Sequence, residues 1–190
     1  MTHARTIAIA ALTALLAGTA AVPAHAFTRH EQMWSSYDPT EINGAHGGRQ
    51  LPTLVTGNPF GVPQEQLAEA VVGAMRGSRS GRPTDPAVAT TAPLRVLMMF
   101  NAATLTGDRL CDRGQPLAVG DAGPRAPVGS ARVELVATYC RGDRPMTQVT
   151  ASLDGVGGPD DPRFRDFIKQ VTLSLFPSRN PDMQGDVWPD

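Results

Sequence analysis

The sequence predicts an α+β domain, an antiparallel or mixed sheet of about four strands with two helices packed on one face. Three stretches predict it. Ala131–Leu153 reads as a β-hairpin: Val133, Leu135, Ala137 and Tyr139 alternate with Glu134 and Thr138, and Val149, Ala151 and Leu153 alternate with Gln148, Thr150 and Ser152. Leu94–Asn101 is apolar on both faces, the pattern of a central strand. Phe164, Phe167, Ile168, Val171 and Leu175 recur at the spacing of one helix face, with Asp161 placed to cap it, Pro162 suited to its first position and Pro177 barring continuation.

Residues 27–50 are polar and mixed, with no sustained period, and read as an extended arm that Trp34 and Tyr37 dock against the domain. Leu51–Thr56 is a short strand in which Pro52 must sit at the start or on an edge. Gly57–Gly61 is a turn cluster, and Pro63 suits the first turn of a helix over Gln64–Arg76, with Leu67, Val71, Ala74 and Met75 at helical spacing and Gly77 as its stop. Ser78–Pro93 and Thr104–Ser130 are long Gly- and Pro-rich loops, the second carrying Cys111 and a short strand candidate at Leu117–Val119. Arg141–Pro145 reads as a five-residue hairpin loop containing Gly. Ser178–Asp190 reads as a mobile tail. The domain therefore spans 51–177. A ferredoxin-like arrangement is one topology compatible with this order.

Residues 1–26 have the three parts of a secretory signal peptide: Arg5, an uncharged apolar run from Ile7 to about Val22, and Ala24-His25-Ala26 as an A-x-A cleavage site. Cleavage after Ala26 leaves 164 residues, enough for one domain. No further apolar run reaches the length of a membrane span, and no cysteine follows the cleavage site to take a lipid anchor. Export places the chain in the periplasm or outside the cell. There the two cysteines, Cys111 and Cys140, most simply form one disulfide, worth roughly 3–4 kcal/mol in the chain-entropy model. With Arg5 removed, 16 basic residues face 18 acidic ones, so no electrostatic case exists for nucleic acid or an anionic membrane.

Motifs for catalysis are missing. The exported chain has two histidines, His30 and His46, both in the arm, and no G-x-S-x-G turn. Its only lysine, Lys169, has Asp166 three residues before it, which excludes the S-x-x-K arrangement. Nothing matches a phosphate loop, a dinucleotide fingerprint, H-E-x-x-H or a calcium loop, and no cofactor or metal is expected. Met98 and Met99 point to opposite faces of a strand and cannot chelate one ion. Asp154, Asp160 and Asp161 are explained by turn formation and helix capping. Two sets of charges remain as candidate binding surfaces: Arg141, Asp143 and Arg144 in the hairpin loop, and Arg76, Arg79 and Arg82 around the first long loop.

Three phrases carry a resemblance: Thr56-Gly57-Asn58-Pro59-Phe60-Gly61, Tyr139-Cys140-Arg141-Gly142-Asp143-Arg144-Pro145 and Pro159-Asp160-Asp161-Pro162-Arg163-Phe164. The chain resembles small exported proteins of Gram-negative proteobacteria, many of them lipoprotein-like. The resemblance covers roughly Leu51–Pro177 and implies a periplasmic setting, but no activity, ligand or catalytic residue. The expected role is a non-catalytic binding or envelope-assembly accessory protein whose partner is an envelope protein or ligand. The alternative is a periplasmic hydrolase using scattered carboxylates or His46.

Overall fold

A computed structural model describes residues 28–40, 50–75, 81–83, 92–101, 108–112 and 132–180. The segment read as a signal peptide with Ala24 and Ala26, His46, Arg76, Arg79 and the Leu117–Val119 strand candidate lie outside the described residues.

The architecture is α+β, as expected. Among the described residues six strands form one mixed sheet: β1 (Thr28–Met33), β2 (Leu51–Thr56), β3 (Gly81–Pro83), β4 (Leu94–Phe100), β5 (Val133–Arg141) and β6 (Arg144–Leu153), in the order β1-β6-β5-β4-β2-β3. Two helices, α1 (Gln64–Met75) and α2 (Pro162–Leu175), cover one face. The four strands read from the sequence are the centre of this sheet, and one strand is added at each edge. The first addition is β1, drawn from the polar arm, which pairs antiparallel with β6 from Thr28↔Ser152 to Met33↔Thr147. An edge strand is held by its backbone and has little to bury, so it shows no apolar alternation. The second is β3, three residues parallel to β2. The order also differs from the ferredoxin-like unit, because four strands, β3 to β6, separate the two helices.

Each element follows from its sequence. β4 lies between parallel β2 and antiparallel β5 and is buried from Arg95 to Phe100, as its two-faced apolar pattern requires. Pro52 sits where β4 has not yet joined β2, since that pairing begins at Thr53↔Val96, so the missing N–H breaks no bond to β4. At the end of β4, Asn101 adopts φ 50° and continues the ladder: its backbone N–H donates to Glu134 O, and its Oδ1 accepts from Glu134 N–H. Helix α1 begins with the Pro63 carbonyl accepting from Leu67 N–H.

The core lies between the sheet and both helices. Val55, Met98, Leu135, Ala137, Tyr139 and Val149 face Leu67, Val71, Phe164, Phe167, Ile168 and Val171. Phe164 is its aromatic centre, with Phe60 edge-on at 5.1 Å and Phe100 at 5.9 Å between ring centroids. The opposite face carries a smaller buried cluster, Leu54, Leu97, Cys111 and Cys140.

The arm and the chain after α2 meet. Tyr37 is buried, its hydroxyl donates to Pro177 O at 2.8 Å, and Asn180 Nδ2 donates to Tyr37 O at 2.7 Å. Tyr37 thus docks on its own domain, while Trp34 is half-buried. The tail read as mobile from Ser178 starts out fixed, because Asn180 is buried against the arm; residues 181–190 lie outside the described residues.

Candidate functional site

The hairpin between β5 and β6 brings one set of predicted charged residues to one corner. The strands run further than the sequence indicated. Arg141 pairs with Arg144, so the connection is the two residues Gly142 and Asp143 rather than five. Gly142 has φ 59° and Asp143 does not have positive φ, the pattern of a II′ turn with glycine first. A register shift between Tyr139 and Cys140 takes up the odd residue and lets Pro145 pair with Cys140. Asp143 and Arg144 are exposed, and Arg141 is half-buried.

Three attachments brace this turn. Gly142 N–H donates to Pro93 O at 2.7 Å. Cys140, the residue before Arg141, is bonded to Cys111 with Cα atoms 5.7 Å apart. Both cysteines are fully buried, so the disulfide expected from the sequence is present and internal. Tyr139 and Cys140 point to opposite faces, Tyr139 into the helix-covered core and Cys140 into the smaller cluster.

The third attachment is Arg95, which sequence reading missed. It lies opposite Cys140 across the β4–β5 ladder and is 2% exposed. Its Nη1 donates to Gly142 O at 2.8 Å and Ala92 O at 3.1 Å, and its Nη2 donates to Cys111 O. A buried guanidinium is costly unless its donors are satisfied. Here one planar group ties together the hairpin turn, the segment entering β4 and the cysteine turn at Asp108–Cys111. The signal was present in the sequence: a single cation inside the most apolar strand, on the face shared with Leu97 and Met99.

The other predicted residues are placed as follows. Arg82 lies in β3 opposite Pro52, in the transverse row that continues through β4 to Cys140. Its backbone is three interstrand spacings from Cys140, roughly 14 Å, so Arg82 is set apart from the hairpin turn at backbone level. His30 is exposed on β1. Among the described residues no three His, Cys, Asp or Glu side chains cluster as metal donors. No described helix is long and apolar enough to cross a membrane.

At the far end of the sheet, Asp161 caps α2. Its Oδ1 accepts from Arg163 N–H at 2.9 Å and from Arg163 Nε at 3.1 Å, and its Oδ2 accepts from Arg163 Nη2 at 2.7 Å and Gly157 N–H at 3.3 Å. The Arg163 guanidinium holds the Asp161 carboxyl down at about 2, against the partial desolvation that would raise it. Asp161 thus has a structural role, while Asp154 and Asp160 are exposed.

No family model matches the chain, and no curated protein matches it significantly. Among solved structures it is similar to a dodecamer of PelC from Paraburkholderia phytofirmans carrying one leucine-to-methionine substitution, at TM-score 0.45 and 12% identity, covering 81% of this chain and 100% of that one. A second crystal form of the PelC dodecamer from the same organism gives TM-score 0.43 and 14% identity over the same shares. Likeness of that order carries neither assembly nor function across.

Proposed function

We propose that this chain is a non-catalytic binding or envelope-assembly accessory module of the periplasm, and that it engages its partner through the hairpin corner. The observation that carries this reading is the bracing of an exposed charged turn by a buried disulfide and a buried guanidinium. A turn that projects Arg141, Asp143 and Arg144 while fixed at Pro93, Cys111 and Arg95 loses little conformational freedom on binding. The alternating charge favours a partner surface that also presents both signs. The periplasmic setting rests on the A-x-A leader and on a disulfide that oxidising compartments preserve.

The test has two arms. Full-length protein expressed in a Gram-negative host is fractionated and weighed intact; the expected species is periplasmic, begins at Phe27 and carries no free thiol. A chain retained in the cytoplasm with its leader overturns the setting. A photo-crosslinking residue at position 143 is then expected to give a discrete adduct that charge reversal at Arg141 and Arg144 abolishes. The same probe at Lys169, on the exposed side of α2, is expected to give none. Equal labelling from both positions overturns the corner as the recognition surface.

A further inference from the structure

The two edges of the sheet are built differently. β3 is three residues long and ends in Pro83, and both shortness and proline guard an edge against pairing. β1 is six residues long, contains neither proline nor glycine, and pairs with β6 without a register shift. Its residues Arg29 to Gln32 are exposed, and among the described residues no strand lies on its outer side. We propose that β1 pairs antiparallel with β1 of a second copy of this chain, about a two-fold axis through His30. This surface is distinct from the hairpin corner, and the inference does not depend on that reading.

The backbone fixes which residues face outward. Trp34 N–H donates to Met146 O across the β1–β6 ladder, so the even-numbered residues of β1 direct their N–H and C=O toward β6. Arg29, Glu31 and Met33 then present theirs outward. Hydrogen-bonded pairs between two copies must join outward residues, which leaves few registers. A two-fold at Arg29 sets Arg29 against Arg29 of the other copy. A two-fold at Glu31 sets Glu31 against its copy. A two-fold at Gln32 sets Glu31 against Met33 and leaves its charge without a cross-strand partner. Only a two-fold at His30 sets each Arg29 against the other copy's Glu31, with four backbone hydrogen bonds at those two pairs. Like charges directly opposite one another are destabilising and unlike charges stabilising, so the charges select the register.

The side chains already share a face. Arg29 and Glu31 lie opposite Ala151 and Val149, and Arg29 Nε sits 3.0 Å from Glu31 Oε1 with both side chains 47% exposed. Two copies would arrange these four groups with alternating sign. A guarding edge would carry charges of one sign that repel every copy; this pair is self-complementary.

The register makes the test specific. In this arrangement His30 faces His30 of the other copy as a non-hydrogen-bonded pair, with Cα atoms about 4.5 Å apart, within reach of a disulfide. Thr28 faces Gln32. Under mild oxidation, His30→Cys is expected to form a covalent dimer. Thr28→Cys and Gln32→Cys are each expected to stay monomeric alone and to cross-link when mixed. Peptide mapping confirms that Cys111–Cys140 stays intact and that the new bond joins the substituted positions. By sedimentation velocity of the protein without added cysteines, Arg29→Glu and Glu31→Arg are each expected to weaken self-association on the order of ten-fold, and a mixture of the two to restore it. Circular dichroism unchanged from the parent shows that these exposed substitutions leave the fold in place. No dimer from His30→Cys, equal cross-linking from all three cysteine variants alone, or a mixture no tighter than either charge variant overturns the proposal.

Discussion

Arg95 and Cys140 stand opposite one another across the β4–β5 ladder, both buried, and each reaches the same turn: Cys140 through its disulfide to Cys111, Arg95 through a hydrogen bond to the Cys111 carbonyl. One covalent and one charged attachment thus hold the cysteine turn to the sheet from adjacent strands.

Replacing Arg95 by Ala removes the donor from three carbonyls and opens space beside the disulfide. Charge-assisted hydrogen bonds contribute about 1.5–3 kcal/mol each, and neighbouring losses do not add, so Arg95→Ala is expected to cost about 2–4 kcal/mol in urea unfolding. Arg95→Lys should recover only part of this, because an ammonium lacks the planar fork that spans Gly142 O and Cys111 O.

The disulfide closes a separation of 29 residues. A Cys111→Ser, Cys140→Ser double variant is expected to lose roughly 3–4 kcal/mol. Because both cysteines are buried, reduction of the native protein should need denaturant, which thiol trapping with and without urea would show.

Asp161 makes stability depend on pH in acid. Its folded pKa of about 2 lies below the ordinary 3.8. A depressed acid contributes stability that is complete above the unfolded pKa and is lost as pH falls through the folded one, so the contribution should fade between about pH 4 and pH 2. Arg163 is partly exposed, which screens the pair, and the effect should be about 1 kcal/mol. Asp161→Asn keeps a capping oxygen but loses the charge, so it should lie about 1 kcal/mol below the parent at neutral pH and show no acid slope, while Asp161→Ala, which loses the cap too, should cost about 1 kcal/mol more. Thermal melts from pH 7 to pH 2 separate the two.

Gly57 has φ 77°, and a Cβ there would collide with the Phe100 carbonyl. Gly57→Ala joins a left-handed backbone to a clash with main chain that cannot move without breaking β4. It is expected to destabilise by more than about 2 kcal/mol, whereas Gly73→Ala on the exposed side of α1, where a Cβ meets nothing, should stabilise by about 0.5–1 kcal/mol. Denaturant midpoints of the two variants test the contrast.

Elements whose two sides differ in burial were legible from the chain. Helix α2 is marked by its apolar stripe and by Asp161 and Pro162, and β4 to β6 by alternation or continuous apolarity. The pairing of Cys111 with Cys140 follows from the chain having only two cysteines. Strand β1 left no such mark, because pairing at an edge uses backbone groups that every residue has. Arg95 stood out as a lone cation in the most apolar strand, but the groups it braces were not legible. Its burial is compensated by carbonyls from Ala92, Cys111 and Gly142, and distant carbonyls leave no trace in side-chain pattern.

Periodicity, local capping and residue type were thus enough to set the α+β class, the helix-covered face of the hairpin and the cysteine pairing. Three outcomes required the folded chain: the arm becoming an edge strand, the register shift that shortens the hairpin connection to Gly142 and Asp143, and the position of Arg95 beneath it. These depend on which backbone groups meet across the sheet, and every residue except proline offers the same donor and acceptor to that choice.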